Sequence, residues 1–363
     1  MARPMCERCD NRATLLGPLG RRRAGRRRPN PGVSSKGRAD GGPSGRVLSC
    51  ILSPVISPLD IEAAAARIAP HVRMTPVIAL EPRAFGSPAR LALKLELMQH
   101  TGSFKPRGAF NRILASSVPD SGVIAASGGN HGAAVAYAAR QLGHVAEIFV
   151  PEPTPDVKVE RLRRYGARVV LAGANYAEAY AASSQRARQT GALEVHAYDQ
   201  AEVLAGQGTL ARELEHQTEG LDAVLVGVGG GGLIGGVAAW FAGRVKVVAI
   251  EPERCPTLYA ATQAGAPVDV EVGGVAADSL GARRVGGLMF DIAQRFVDAV
   301  LLVSDEEIRQ SQRALWDSLR VLAEPGGAAA LAGLRSGRYQ PAAGERVAVV
   351  VCGGNTDPAR FAA

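Results

Sequence analysis

Seven short apolar runs recur along the chain with helical stretches between them, and they restrict the fold more than any other feature. They are GVIAA (122–126), AEIFV (146–150), ARVVLA (167–172), LDAVLVGV (221–228), VKVVAI (245–250), VDAVLLV (297–303) and RVAVVVC (346–352). Several are continuous β-branched runs bounded by glycine or charge, the pattern of strands covered on both faces in a parallel sheet. Alternation with helices makes this an α/β protein of many βαβ units. At 363 residues the chain is long enough for two lobes. The regular part opens with SPLDIEAAAARIA, where Ser57 is placed as an N-cap, Pro58 at the first helical position and Asp60 in the first turn. Ile61 and Ile68 then share one face.

The net charge of +8 would suggest a nucleic-acid partner if it were spread over the fold. It is concentrated instead in residues 1–46, which hold eleven arginines and Lys36 against Glu7, Asp10 and Asp40. Removing those twelve from 42 basic and three from 34 acidic residues leaves 30 against 31, a nearly neutral body. Around GRRRAGRRRPNPG the segment has no hydrophobic period, so residues 1–50 are expected to be a disordered Arg/Gly/Pro-rich extension or sequence upstream of the true start. A targeting or nucleic-acid arm is the less favoured reading, and no nucleic-acid partner is expected.

No apolar run approaches the roughly 20 residues that span a bilayer; VLSCILSPVI at 47–56 is interrupted by Pro54. No membrane segment is expected. CERC at 6–9 is one CxxC pair with no second pair and no histidine nearby, so a zinc site is not expected. Cys50, Cys255 and Cys352 are scattered and no signal peptide precedes them, which fits a reducing cytoplasm.

In parallel sheets ligands sit where strands end and helices begin. Three such junctions are rich in glycine: SGGNHG (127–132), GGGGLIGG (229–236) and CGGN (352–355). The four glycines 229 to 232 leave backbone N–H groups free to converge on an anion, and the following helix adds its positive end, so a phosphate is the natural guest. Gly227, Gly229 and Gly232 also satisfy G-x-G-x-x-G, with Glu251 at about the spacing of a ribose-binding acid, so an NAD-dependent oxidoreductase is a rival reading. That rival leaves Lys105, SGGNHG and CGGN without a role. Pyridoxal phosphate needs a lysine for its aldehyde, a cradle for its phosphate, a polar partner for its phenolic oxygen and a group facing its ring nitrogen. Lys105, Gly229 to Gly232, Asn130 and Cys352 fit those needs in that order.

Taken together, SFKPRGA, SGGNHG, GVGGGGLIGG, EPGGAAA and VVVCGGN resemble the serine and threonine dehydratase family of pyridoxal-phosphate enzymes. The resemblance runs in consistent order from about residue 57 to the C-terminus, and residues 1–50 lie outside it. It implies the tryptophan synthase β-type fold (fold type II), with two lobes of parallel-rich sheet flanked by helices. The large cofactor-binding lobe would comprise 57–121 and 200–363, and the small lobe 122–199. Lys105 then resembles the lysine that bonds the cofactor, with Phe104 beside it. Asn130 resembles the partner of the pyridine hydroxyl, and Gly229, Gly230, Gly231 and Gly232 the phosphate cup. Glu324 matches an acid near the ring, and Cys352 the residue beside the pyridine nitrogen, often serine in the family. Ser127, Asn130 and His131 match the loop that grips the substrate carboxylate.

The implied reaction is deamination of L-threonine or L-serine to 2-oxobutyrate or pyruvate and ammonia. For this Lys105 must lose its proton, although a free lysine holds it to about pH 10.4, so desolvation or a neighbouring cation is required. An uncharged Cys352 opposite the ring nitrogen favours elimination over transamination. Serine racemase and hydroxyaspartate dehydratase are the alternatives within the family; racemases resemble a layout with a second hydroxyl where this chain has Gly128. The cation site of some relatives follows the EP of AIEPERCPT, but after Glu251 this chain offers Glu253, Cys255 and Thr257, and no metal is assigned. A homodimer or homotetramer without a C-terminal regulatory domain is expected.

Overall fold

The computed structural model describes residues 56–361, and the expected extension at 1–50 lies outside them. The first helix, Pro58–Ile68, forms as its sequence dictates. The Ser57 hydroxyl accepts from Asp60 N–H, the Asp60 carboxylate accepts from Ser57 N–H at 2.7 Å, and Ile61, Ala64 and Ile68 are buried.

The strands are, in chain order, β1 (Val77–Ala79), β2 (Arg90–Lys94), β3 (Val123–Ala126), β4 (Ala146–Val150), β5 (Arg168–Leu171), β6 (Leu193–Glu194), β7 (Ala223–Gly227), β8 (Lys246–Pro252), β9 (Ala299–Val303) and β10 (Arg346–Val350). They form a six-stranded sheet in the order β1-β2-β10-β7-β8-β9 and a four-stranded sheet in the order β5-β4-β3-β6. Every pairing is parallel except β1 with β2, at the edge of the larger sheet. All seven apolar runs are strands. Three of the runs have the burial expected of them: every residue of β3 and β7 is buried, as are Val347 to Val350 of β10; β5 and β9, at sheet edges, are only partly buried. The neighbours of β10 are β2 on one side and β7 on the other, which places its carboxyl end at the middle of the larger sheet.

Helices cover both sheets and approach one another closely through small residues. Where helix Ala201–Gln217 meets helix Gly232–Phe241, a Cβ at Gly208 would lie 2.8 Å from the Gly236 carbonyl oxygen, so the backbones touch directly. No helix among the described residues is long and apolar enough to cross a membrane.

A buried ion network lies immediately beyond Lys105. Arg107, on helix Pro106–Leu114, donates from Nε and Nη2 to the two oxygens of Glu96 at 2.8 and 2.7 Å, and from Nη2 to Glu213 at 2.8 Å. Lys94, at the end of β2, pairs with the same Glu213 and donates to the Thr75 carbonyl oxygen at 2.9 Å. Two cations and two carboxylates balance, and the side chains of Lys94, Glu96 and Arg107 are at most 1% exposed. Removing one member leaves an uncompensated buried charge, which costs about 3–5 kcal/mol. The Arg107→Met variant is therefore expected to lose about that much stability in urea unfolding; a loss below about 1 kcal/mol would show that the network relaxes or admits water.

Candidate active site

The three glycine-rich segments lie at the carboxyl ends of β3, β7 and β10, and Lys105 lies beside the last of these. Its loop is joined to the end of β10 by an antiparallel bridge between Ser103 and Gly353 and by the Phe104 N–H, which donates to the Cys352 carbonyl oxygen at 3.1 Å. Lys105 opens helix Pro106–Leu114; the proline after it has no N–H to leave unsatisfied in the first turn. Its Nζ donates to the Ala197 carbonyl oxygen at 2.8 Å and sits 5.1 Å from the centroid of the Phe104 ring.

Desolvation lowers the Lys105 amine to about 8, against a smaller upward pull from Cys352 and Glu324. Of the two routes that lower a lysine, desolvation of the amine is the one present, on a side chain that is half-buried overall. Cys352 is buried, and its thiol is pushed up to about 12, so it is uncharged at neutral pH; Sγ donates to the Gly326 carbonyl oxygen at 3.4 Å. Burial raises Glu324 to about 7, opposed by the hydrogen bond from Asn130 Nδ2 at 2.6 Å. A Cβ at Gly353 would lie 1.9 Å from Glu324 Oε1, so any larger residue would displace that carboxyl.

The glycines 229 to 232 are required by their surroundings. Gly231 has φ +88°, in the left-handed region, and a Cβ on Gly230 would meet the Tyr198 ring at 2.2 Å. Helix Gly232–Phe241 starts without a side-chain cap, so its first N–H groups have no side-chain acceptor. Helix Asn130–Gln141, after β3, also lacks a side-chain cap. There Ser127 Oγ accepts from Gly129 N–H at 3.2 Å and keeps its own proton to donate. His131 is lowered to about 3, first by burial and then by the Lys105 charge, so its ring is neutral. Its Nε2 lies 2.8 Å from the Val195 carbonyl oxygen, an acceptor, which places the ring proton on Nε2. That proton is engaged with Val195, and the donor His131 retains for a carboxylate is its backbone N–H.

The structure thus brings Phe104, Lys105, Asn130, Glu324 and Cys352 together, and Ala197 and Tyr198 link Lys105 to the glycines 229 to 232. Sequence reasoning gave no role to Ala197, Tyr198 or Asn355. The first two lie in a stretch with no periodic signal; Asn355 was visible only as the last letter of CGGN. Glu251 cannot serve a ribose. Its carboxylate accepts from Thr257 Oγ1 at 2.9 Å and from the Leu258 and Tyr259 N–H groups at 2.8 Å, capping helix Thr257–Ala264. Among the described residues no group of three or more His, Cys, Asp or Glu side chains is placed to hold a metal ion.

A desolvated lysine, an uncapped helix start behind four glycines and an uncharged thiol near the lysine fit pyridoxal phosphate. Comparison with known proteins agrees. Residues 68–353 match the family described as pyridoxal-phosphate dependent enzyme, and the chain belongs to it. The biosynthetic L-threonine dehydratase of Salmonella typhimurium is 40% identical over 273 residues, covering 74% of this chain and 53% of that protein. The chain therefore spans about half the length of the biosynthetic dehydratases it matches. Among solved structures, maize serine racemase superimposes with a TM-score of 0.80 at 31% identity, over 85% of this chain and 96% of that one. The T.th. threonine deaminase gives 0.77 at 35% identity, over 83% and 99%. The fold is that of fold type II pyridoxal-phosphate enzymes.

Only a neutral amine attacks an aldehyde. The rate at which cofactor-free protein takes up pyridoxal phosphate should therefore rise with pH through about 8 and level off above it. Stopped-flow absorbance measures this. A rate still climbing near pH 10.4, the range of a solvated lysine, would contradict the burial argument.

Proposed function

We propose that this chain is a lyase that deaminates L-threonine or L-serine, giving 2-oxobutyrate or pyruvate and ammonia. The observation that carries the reading is the desolvated Lys105 amine beside an uncharged Cys352 thiol, in a chain whose relatives include threonine dehydratases and a threonine deaminase. In this reading residues 122–199 form the small lobe and 57–121 with 200–363 the large lobe. The grouping of β3 to β6 into one sheet supports that division. The protein would work in the cytoplasm as a homodimer or homotetramer.

Lys105, Phe104, Asn130, Glu324, Cys352 and glycines 229 to 232 would hold the cofactor. When bound, pyridoxal phosphate supplies a sink for the electron pair left on Cα. The Ser127 hydroxyl and the uncapped N–H groups at the start of helix Asn130–Gln141 receive the substrate carboxylate. Lys105 Nζ is the base for the Cα proton, a role worth about 10²- to 10⁴-fold in rate. The C–H bond breaks, its proton rests on Nζ and passes to the departing β-hydroxyl, and water leaves as the Cα–Cβ double bond forms. Hydrolysis of the released enamine gives the 2-oxo acid and ammonia. Asn130 anchors Glu324, and Cys352, uncharged, would hold the cofactor's ring without a carboxylate.

Serine racemisation is the second reading, favoured by the fit to the maize enzyme. It needs a proton carrier on the opposite face, and Gly128 offers no side chain for that; a Cβ there would already touch Thr154 at 3.3 Å. Incubation with L-threonine and L-serine separately, with 2-oxobutyrate, pyruvate and D-serine measured, separates the readings. The 2-oxo acids should predominate, and Lys105→Ala should abolish their formation. Predominant D-serine would favour the racemase, and no turnover of either substrate would point to another β-substituted amino acid such as hydroxyaspartate.

A further inference from the structure

Asn355 sits at the centre of a hydrogen-bond chain whose polarity can be read from its ends. Its Nδ2 donates to the Thr101 carbonyl oxygen and to Asn130 Oδ1, each at 2.8 Å. Asn130 Nδ2 in turn donates to Glu324 Oε1 at 2.6 Å. The Thr101 carbonyl can only accept, which makes the amide end of Asn355 that faces it the nitrogen. The end of Asn130 that meets this nitrogen must then be the oxygen, so the Asn130 nitrogen faces Glu324. The Glu324 carboxylate also accepts, from Asn130 Nδ2 and from the Asn355 backbone N–H. Read from the Thr101 carbonyl, the chain admits one orientation of each amide.

The anchor is rigid. Thr101 has φ +60°, and Gly354 N–H donates to the Gly102 carbonyl oxygen at 2.9 Å. A Cβ at Gly102 would meet Asn355 Oδ1 at 2.7 Å, so the Lys105 loop and Asn355 are in direct contact. With both Asn355 amide protons engaged, Asn130 Nδ2 retains one proton beyond the one it gives Glu324. A flipped Asn130 would instead turn its Nδ2 towards Asn355 Nδ2, donor against donor.

We propose that Asn355 is a positioning residue, fixing the orientation of Asn130 so that its second N–H is a permanent donor to the cofactor's phenolic oxygen. The proposal rests on the pyridoxal-phosphate reading of the pocket. If it holds, the Asn355 amide acts on the cofactor through Asn130, its bond to the Thr101 carbonyl oxygen serving to hold the amide in place, and a double-mutant cycle on cofactor affinity exposes that dependence. Asn130→Ala and Asn355→Ala should each weaken pyridoxal-phosphate binding about tenfold. Adding Asn355→Ala to Asn130→Ala should change it by less than about twofold. Both changes should move the pH titration of the bound cofactor's visible absorbance in the same direction.

Additive losses, or an Asn355→Ala affinity within about twofold of the original, would overturn the proposal. Should Asn355→Ala fail to fold, Asn355→Asp keeps the volume but replaces the donor nitrogen with an oxygen facing Thr101 O and Asn130. It should show the same loss of affinity, and unaltered binding and absorbance in that variant would equally overturn the proposal. Failure of the unaltered chain to bind pyridoxal phosphate would sink the reading of the pocket itself. Normal binding there with unaffected variants would sink only the role of Asn355.

Discussion

The hydrogen bond from Phe104 N–H to the Cys352 carbonyl oxygen joins two segments separated by most of the fold. On one side is the loop that carries Lys105; on the other is the end of β10, the strand flanked by β2 and β7 in the larger sheet. Because β10 is fixed by parallel pairing on both sides, Cys352, Gly353 and Asn355 leave the sheet at a set position. The Lys105 loop inherits that position through the Phe104 bond and the adjoining Ser103–Gly353 bridge. The thiol, the lysine and Glu324, whose own N–H donates to the Gly353 carbonyl oxygen, all take their places from this junction.

Two basic side chains two residues apart, Arg107 buried and Lys105 half-buried with a desolvated amine, have opposite fates. Arg107 meets two carboxylates, so burial is compensated and its charge is kept. Lys105 meets a backbone carbonyl, an aromatic ring, a thiol that holds its proton and an acid raised towards neutrality, so burial is poorly compensated and the amine loses basicity. Desolvation acts on both; the difference lies in whether fixed negative charge is within reach. The two roles also suit the side chains. A guanidinium stays protonated and holds a carboxylate through two bonds, whereas an ammonium shifts readily when buried and can act as a base. The ion network behind Lys105 anchors the same helix that Lys105 opens.

The strands of the parallel core were legible because a strand buried on both faces needs an unbroken apolar run, and seven such runs stand out. β1, β2 and β6 were not read. β1 and β6 have only three and two residues, and β2, RLALK, carries charge at both ends, its lysine made tolerable by Glu213 from a distant helix. The loops of the pocket were legible as glycine clusters at strand ends, since close backbone approach leaves a compositional trace. Ala197 and Tyr198 left none: their roles arise from tertiary register, through a carbonyl oxygen offered to Lys105 and a ring pressed on Gly230. Asn355 was legible as a letter in a motif but not as a contact, because its partners lie more than 200 residues away in sequence. The acid that suggested a dinucleotide, Glu251, had the right spacing and the wrong neighbours.

In the proposed function Lys105 is the amine, desolvated in the fold, that bonds the pyridoxal-phosphate aldehyde. Borohydride reduction of the cofactor-loaded chain, followed by peptide mapping, tests it most directly, because reduction fixes the cofactor on whichever amine holds it. The account predicts one modified peptide, carrying the label on Lys105. Label on Lys94, Lys158 or Lys246, or no label in a chain that has bound the cofactor, would contradict it.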